Sequence, residues 1–341
     1  MIGLLRLLHG ASVAAANAAL RLGWFRRVAG RTVRLIALLV VPWLAACTEQ
    51  PGVESSSTEA SAAAQVVDGR GVNVRVSRPP TRLVSLAPST TEILYAVGAG
   101  GRLVRRDDHS DYPPEVLSLE SIGATHPTVN AESIVAAKPD LVLAAGSNDL
   151  ASLERLEAVG VTVYAAGEAS GFGDLYQDIR NVGRLCGVSE SAVSLVASLK
   201  ARVARVAASR PAEDRRPTVF FVLDSGDSTR PWTCGKGSFI DEVFRVAGAR
   251  NIAGAEDGAY FQMSLERLVS LDPRFILRCG RKTGLKVDLS KLAGWNQLSA
   301  VREGRVFETD ENLLVRPGPR LVDGLEAVAR FVNSVREGGS Q

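Results

Sequence analysis

The sequence has little of what an integral membrane protein, a bare metal-ion binder or a serine hydrolase requires. Its N-terminal apolar run, residues 35–44, is about ten residues long, whereas a membrane-spanning helix needs roughly 20. Only His109 and His126 remain beyond residue 46, a poor set for Zn or Mn, because such an ion takes three or four protein ligands. No Gly-x-Ser-x-Gly elbow is present, so a hydrolase built on Ser225 is disfavoured.

Acidic residues are absent from the first 46 positions, which contain six arginines, then the apolar run, then small residues. This order is typical of an export signal. We therefore predict a signal peptide over 1–46. The Leu-Ala-Ala-Cys sequence at 44–47 resembles the lipobox of bacterial lipoproteins, which implies that Cys47 becomes the lipid-modified first residue, anchored on the outer face of the cytoplasmic membrane. Residues 47–64 are small and polar, as expected of a flexible tether.

A net positive charge is also missing from the predicted mature chain. The whole sequence has 40 basic and 37 acidic residues. Because the six arginines lie in the predicted signal, the mature chain has 34 basic and 37 acidic residues. A nucleic-acid partner therefore lacks its main electrostatic support.

Three cysteines follow Cys47 in the predicted mature chain, and an exported protein is permitted a disulfide. Cys279 ends a predicted strand of the second half, and Cys234 follows another strand of that half. We favour a bridge between Cys234 and Cys279, with Cys186 buried in a helix, although spacing alone does not fix the pairing.

A sequence pattern in residues 132–146 returns 134 residues later. The first copy reads ESIVAAKPDLVLAAG, and the second, residues 266–280, reads ERLVSLDPRFILRCG. Each copy predicts a short helix, capped by Asn130 or Ser264 and ended by a proline, followed by an apolar strand buried on both faces. Two copies predict two similar lobes.

The remaining pattern predicts an α/β fold with two lobes, each built on a central, mostly parallel sheet, joined by a single long helix. A hairpin with an Asp-Gly turn opens the folded part. We expect the first lobe at 65–172, the interlobe helix at 173–210 and the second lobe at 211–341. The helical stretch is interrupted at Gly187, and its second part, from Ser189, reaches about 30 Å, which is enough to cross between the lobes. Ligands of such sheets bind at the carboxyl ends of the strands.

The chain resembles the helical-backbone class of ABC-importer substrate-binding proteins, which carry ferric siderophores, haem or cobalamin. The residues that carry the resemblance are SLAPSTTEIL (85–94), DYPPE (111–115), NAESIVAAKPDLVLA (130–144), GKGSFIDEVFRVAGARNI (235–252) and RPGPRLVDGLE (316–326). The resemblance implies two lobes that hold a ligand in a shallow cleft and deliver it to a membrane permease with its ATPase. It implies a monomer with no intrinsic cofactor and no catalysis.

The resemblance also gives Glu132 and Glu266 a role, since they match the acidic residue that each lobe presents to arginines of the permease. The alternative is a purely local role, in which a glutamate in the first helical turn interacts with the helix dipole.

Ligand contacts are predicted from the loops expected at the cleft. Haem binders of the class use His and Tyr as axial ligands, and His126 and Tyr260 occupy corresponding places in the two lobes. Aromatic side chains would suit cobalamin, and arginines would suit an anionic siderophore. The candidates are His109, Tyr112, His126, Trp232, Tyr260, Phe261, Arg316 and Arg320, with Arg106 and Arg230 as further arginines.

The choice among cobalamin, haem and siderophore stays open at the level of sequence. A binding protein for a bare Zn or Mn ion and a sensory lipoprotein on the same scaffold are the alternative functions.

Overall fold

Strands and helices alternate through most of the chain in a computed structural model that describes residues 63–224, 226–256, 258–280 and 288–338. The strands are β1 (Ala64–Val67), β2 (Asn73–Val76), β3 (Leu83–Ser85), β4 (Leu103–Arg105), β5 (Leu141–Ala144), β6 (Val163–Ala165), β7 (Thr218–Val222), β8 (Trp232–Cys234), β9 (Arg250–Asn251), β10 (Tyr260–Gln262), β11 (Phe275–Gly280) and β12 (Val306–Asp310). The α-helices are α1 (Pro88–Ala96), α2 (Ala131–Ala136), α3 (Leu150–Ala158), α4 (Phe172–Leu185), α5 (Ser189–Ser209), α6 (Phe239–Ala247), α7 (Leu265–Leu271), α8 (Ser299–Arg302), α9 (Glu311–Leu314) and α10 (Leu321–Arg336).

Two parallel sheets with the same topology form the two lobes. The first has the order β4-β3-β5-β6, and the second has the order β9-β7-β11-β12. The repeated strands, β5 and β11, occupy the same place in their sheets. The predicted α/β class with two similar lobes is therefore confirmed.

The repeated units have the local structure that their sequence predicts. The side chains of Asn130 and Ser264 cap α2 and α7 by accepting hydrogen bonds from backbone N–H groups three residues later. Just before the two prolines, Lys138 and Asp272 have positive φ angles of 47° and 35°. This left-handed conformation is costly for residues with a side chain, and the two copies share it because the chain must turn sharply from helix to strand.

The helical segment predicted at 173–210 forms two helices, α4 and α5, that are separated at Gly187 as the sequence predicts. Gly187 has a φ of 69°, and the N–H groups of Gly187 and Val188 donate to the carbonyls of Arg184 and Gly183, which closes α4 with a Schellman motif. Helix α4 packs on α1 and β1 of the first lobe, whereas α5 packs on α4 and also on α6 and α10 of the second lobe. With 21 residues, α5 spans about 31 Å. The connection between the lobes is therefore α5 alone.

The central strands of the two parallel sheets are buried on both faces, as their continuous apolar runs predict. In β5, Leu141 and Leu143 face the large central core, while Val142 faces a second core under α2 and α3. In β7, Phe221 faces the central core and Phe220 a third core with Trp295. The central core also contains residues of α4, α5, α6 and α10, so the two lobes share apolar packing.

Several details differ from the expectations. The sequence predicts loops at 224–237, in the stretch through 261, and at 312–320. Strands β8 and β10 instead form an antiparallel pair in the first two of these loops, and α9 occupies the start of the third. The hairpin β1–β2 is confirmed; its first strand begins inside the predicted tether. The predicted signal peptide, Cys47 and Ser225 lie outside the described residues. Among the helices that are described, none is both long and apolar enough to cross a membrane.

Candidate ligand-binding site

A cavity of about 520 Å³ lies between the two lobes. The first lobe lines it with residues 87–90, 145–147 and 166–170, which follow β3, β5 and β6. The second lobe contributes residues 239–240 at the start of α6 and 315–317 before α10. The cavity thus lies at the carboxyl ends of parallel strands, where α/β sheets bind ligands.

Much of the first-lobe wall consists of small residues, which keep the cavity wide. Ala87, Ala145, Gly146, Gly167 and Ala169 all line it. Gly146 must lack a side chain, because a Cβ atom there would lie 2.7 Å from the backbone nitrogen of Glu168. The wall therefore offers mainly backbone groups and methyls.

A buried chain of hydroxyl groups supports the loop between β3 and α1. The Ser85 hydroxyl lies 2.8 Å from the hydroxyls of both Thr90 and Thr91, and Thr91 lies 2.8 Å from the hydroxyl of Ser110. Ser110 in turn donates to the carboxylate of Asp107, which is fully buried. These residues belong to or adjoin the SLAPSTTEIL and DYPPE segments, so part of that sequence pattern lines the cavity and part of it supports the wall from behind.

Arg316 lines the cavity and joins the two lobes. Its Nη1 donates to Asp111 Oδ1 at 2.7 Å, and its Nη2 donates to the backbone carbonyl of His109 at 3.0 Å. The His109 side chain itself is exposed. The guanidinium charge of Arg316 is therefore compensated from the first lobe before any ligand arrives.

Arg320 makes a second link between the lobes. It donates to both carboxylate oxygens of Glu92 on α1, at 2.6 and 3.0 Å, and its guanidinium lies 3.8 Å from the ring centroid of Tyr112. The Glu92 side chain is only 2 % exposed. Burial raises the pKa of Glu92, although the bonds from Arg320 act in the opposite direction.

Two acidic residues also line the cavity, Glu168 after β6 and Asp178 on α4. Asp178 Oδ1 accepts a hydrogen bond of 2.6 Å from the hydroxyl of Tyr164, which is fully buried. Burial raises the pKa of Asp178 to about 6, and the Tyr164 bond lowers it. Sequence reasoning missed Asp178, because nothing local distinguishes an aspartate in the middle of an amphipathic helix.

The aromatic part of the wall comes from the second lobe. Tyr260 lines the cavity, as predicted, and packs edge-on against Phe239, with ring centroids 6.5 Å apart. Burial raises the pKa of the Tyr260 hydroxyl. Phe239, the first residue of α6, was not predicted as a site residue. Trp232 lines an adjoining hollow of about 410 Å³ that shares Leu223 and Val315 with the cavity.

Other predicted ligand contacts lie elsewhere. His126 is exposed and is not part of the cavity wall, so the structure does not bring the proposed haem pair, His126 and Tyr260, together. Phe261 packs on the core of the second lobe, against Gly235. Arg106 and Arg230 do not line the cavity.

The predicted disulfide partners lie in the second lobe. Cys234 is a fully buried thiol whose pKa is raised first by burial, and the negative charge of Asp241 raises it further. Cys279 is half-buried at the end of β11. The bridge stays a prediction for the protein under oxidising conditions. Cys186 is buried at the C-terminal cap of α4.

Glu132 and Glu266 occupy equivalent positions in the two lobes. Each is the second residue of its helix, α2 or α7, directly after the capped N-terminus. Both are exposed, and within the described structure neither forms an ion pair or a side-chain hydrogen bond. Both carboxylates are therefore available at the surface.

No group of three or more His, Cys, Asp or Glu side chains among residues 63–224, 226–256, 258–280 and 288–338 is placed to hold a metal ion.

The chain belongs to the periplasmic binding protein family, whose sequence pattern matches residues 83–313. Within it, the chain is a member of the ABC-importer substrate-binding class that its motifs resemble, and the predicted absence of catalysis agrees with relatives that are binding proteins. Membership of this family indicates an extracytoplasmic location.

Proteins similar to this chain include binders of different ligands. An ABC transporter substrate-binding lipoprotein of Bacillus subtilis (strain 168), YvrC, is 33% identical over 78% of this chain and 84% of its own length. The vitamin B12-binding protein of Vibrio cholerae is 30% identical over 74% of this chain and 90% of its own length. Among solved structures, a periplasmic heme binding protein from Pseudomonas aeruginosa is 29% identical, with a TM-score of 0.67 over 75% of this chain and 94% of that chain.

Proposed function

We propose that the protein is a lipid-anchored binding protein that captures a metal chelate between its lobes and delivers it to an ABC permease. The observation that carries this proposal is the interlobe cavity at the carboxyl ends of the first-lobe strands. The relatives bind vitamin B12 or haem, and the wider class carries ferric siderophores as well, so the ligand is a chelate of cobalt or iron.

A titration of the purified protein with cyanocobalamin, haemin and a ferric hydroxamate tests the capture step. We expect a saturable one-to-one change in visible absorption with one of them. Trp232, which is 43% exposed beside the cavity, should report the same event by fluorescence, whereas Trp295 is fully buried and serves as the internal reference. A Trp232→Phe variant should lose most of the fluorescence change and keep the absorption change.

The same titration separates the candidate haem ligands. If haemin is the ligand, Tyr260→Phe should alter its spectrum, and His126→Ala should leave it unchanged, since His126 is exposed and away from the cavity wall. No binding of any chelate would contradict the proposal and favour the sensory or bare metal-ion alternatives.

Delivery is proposed to use Glu132 and Glu266, because they are exposed, equivalent and available on both lobes. Replacing both with alanine should weaken stimulation of the permease ATPase at least about tenfold, since interface anchors are typically worth 1 kcal/mol or more, and should leave chelate affinity unchanged. A control pair, Glu154→Ala with Glu337→Ala, removes two exposed glutamates and should have no effect.

Anchoring is proposed at Cys47. A Cys47→Ser variant should leave the membrane fraction and lose incorporation of labelled fatty acid. Continued lipid labelling of that variant would contradict the assignment.

A further inference from the structure

The charge of the cavity wall bears on which chelate the protein takes, and the inference drawn from it rests on the proposed function. Arg316 is the one cationic side chain among the described lining residues. Its guanidinium already donates to the Asp111 carboxylate and to the His109 carbonyl. A ligand with free carboxylates would have to compete with Asp111 for this arginine.

The carboxylates of the wall, in contrast, have no cation of their own. Glu168 and Asp178 both line the cavity, and within the described part of the chain neither takes part in an ion pair. The wall therefore has a net negative charge. These carboxylates would repel an anionic ligand at close range, which lowers its affinity relative to that of an uncharged or cationic ligand.

Asp178 is held in a fixed orientation. Its Oδ1 accepts from the Tyr164 hydroxyl at 2.6 Å, and that hydroxyl also accepts from Asn181 Nδ2 at 3.4 Å. No described group donates to Oδ2, so one oxygen of a positioned carboxylate has unused acceptor capacity at the cavity wall. Because its pKa is about 6, the group is mainly ionised at neutral pH.

We propose that the site takes an uncharged or cationic metal chelate rich in amide N–H or hydroxyl donors, and that Asp178 is the acceptor that selects it. A buried acceptor without a donor is costly, so a ligand that covers Asp178 must supply a hydrogen bond. A corrinoid, whose rim carries primary amides, meets this requirement, as does a cationic ferric hydroxamate. Haem, with two propionates, does not.

The test compares cyanocobalamin, a cationic ferric hydroxamate and haemin on the full chain and on Asp178→Asn. In the variant the amide oxygen still accepts from Tyr164, while a donor replaces the acceptor at Oδ2. We expect the wild-type Kd for cyanocobalamin or the hydroxamate to be at least tenfold below that for haemin. Asp178→Asn should raise the Kd of the preferred chelate at least tenfold, which brings it closer to the Kd for haemin. Glu190→Gln, an exposed acid on α5, is the matched control and should change each Kd less than twofold.

Tyr164→Phe is a second variant that leaves the carboxylate in place and removes the group that orients it. We expect it to raise the Kd of the preferred chelate about threefold or more, which tests the idea independently of Asp178→Asn. Tighter binding of haemin than of both other chelates, or unchanged affinity in folded Asp178→Asn, would overturn the inference and leave the proposed function standing. Binding of no chelate at all would overturn both.

Discussion

Replacing Arg320 with alanine would leave the Glu92 carboxylate buried without its partner. In the native protein both carboxylate oxygens accept from Arg320, and the Glu92 side chain is 2 % exposed. Breaking a buried ion pair by removing one partner typically costs 3–5 kcal/mol. The carboxyl can limit this cost by taking up a proton. For a group with an ordinary pKa of 4.5, protonation at pH 7 costs about 3.4 kcal/mol.

We therefore expect Arg320→Ala to lower the free energy of unfolding by about 3 kcal/mol at pH 7. Burial already raises the folded pKa of Glu92, and losing Arg320 raises it further. A raised folded pKa gives stability that is complete below pH 4.5 and is lost as the pH rises. The difference from wild type should accordingly shrink to roughly 1 kcal/mol at pH 5.

Urea unfolding of wild type and variant at both pH values measures the effect. Equal m-values for the two proteins would show that their unfolding transitions expose the same surface and can be compared. Arg330→Ala removes an exposed arginine from α10, the helix that Arg320 directly precedes, and is the control. The double variant Glu92→Leu with Arg320→Met should recover to within about 1 kcal/mol of wild type, because no uncompensated buried charge remains. A loss below about 1 kcal/mol in Arg320→Ala, or a loss independent of pH, would refute the reasoning.

Two further predictions concern single buried contacts. The pKa of Asp178 is raised from its ordinary 3.8 to about 6 in the folded protein, so ionised Asp178 destabilises the fold at neutral pH. Asp178→Asn should therefore be more stable than wild type at pH 7.5, by at most about 3 kcal/mol. Near pH 4 the variant should show no gain in stability. Chemical unfolding at the two pH values measures this, and a less stable variant at pH 7.5 would contradict it. Trp295 is fully buried, and its indole N–H donates to the Ser228 carbonyl at 2.8 Å. Trp295→Phe should lower the free energy of unfolding by about 2–3 kcal/mol, because the carbonyl loses its donor and the core loses volume. Urea unfolding measures this, with Trp232→Phe as the exposed control.

The sequence by itself determined the elements whose signals are local. Proline, cap residue and apolar run define each repeated unit, so α2, β5, α7 and β11 follow from the pattern, and the match between copies predicts two lobes. Helix α6 follows in the same way from Ser238, which caps it, and Gly248, which ends it with a φ of 86°. Such signals act within a few residues, so no tertiary contact is needed to read them.

Strands β8 and β10 were not predictable from the sequence, because their stability comes from pairing with each other. Strands β8 and β10 have three residues each and are stabilised by each other across 28 positions of sequence. Their residues carry no alternating pattern long enough to distinguish a strand from a loop.

The site was predicted only in part, for the same reason. Tyr260 and Arg316 line the cavity as expected, whereas His126 and Phe261 do not, since a loop sequence does not specify which side of the loop faces the other lobe. Only the tertiary structure decided that Arg316 is compensated by Asp111, which is 205 positions away in sequence, and that Asp178 reaches the cavity. Side-chain charge and burial combine contributions from distant segments, and these meet only when the lobes pack together.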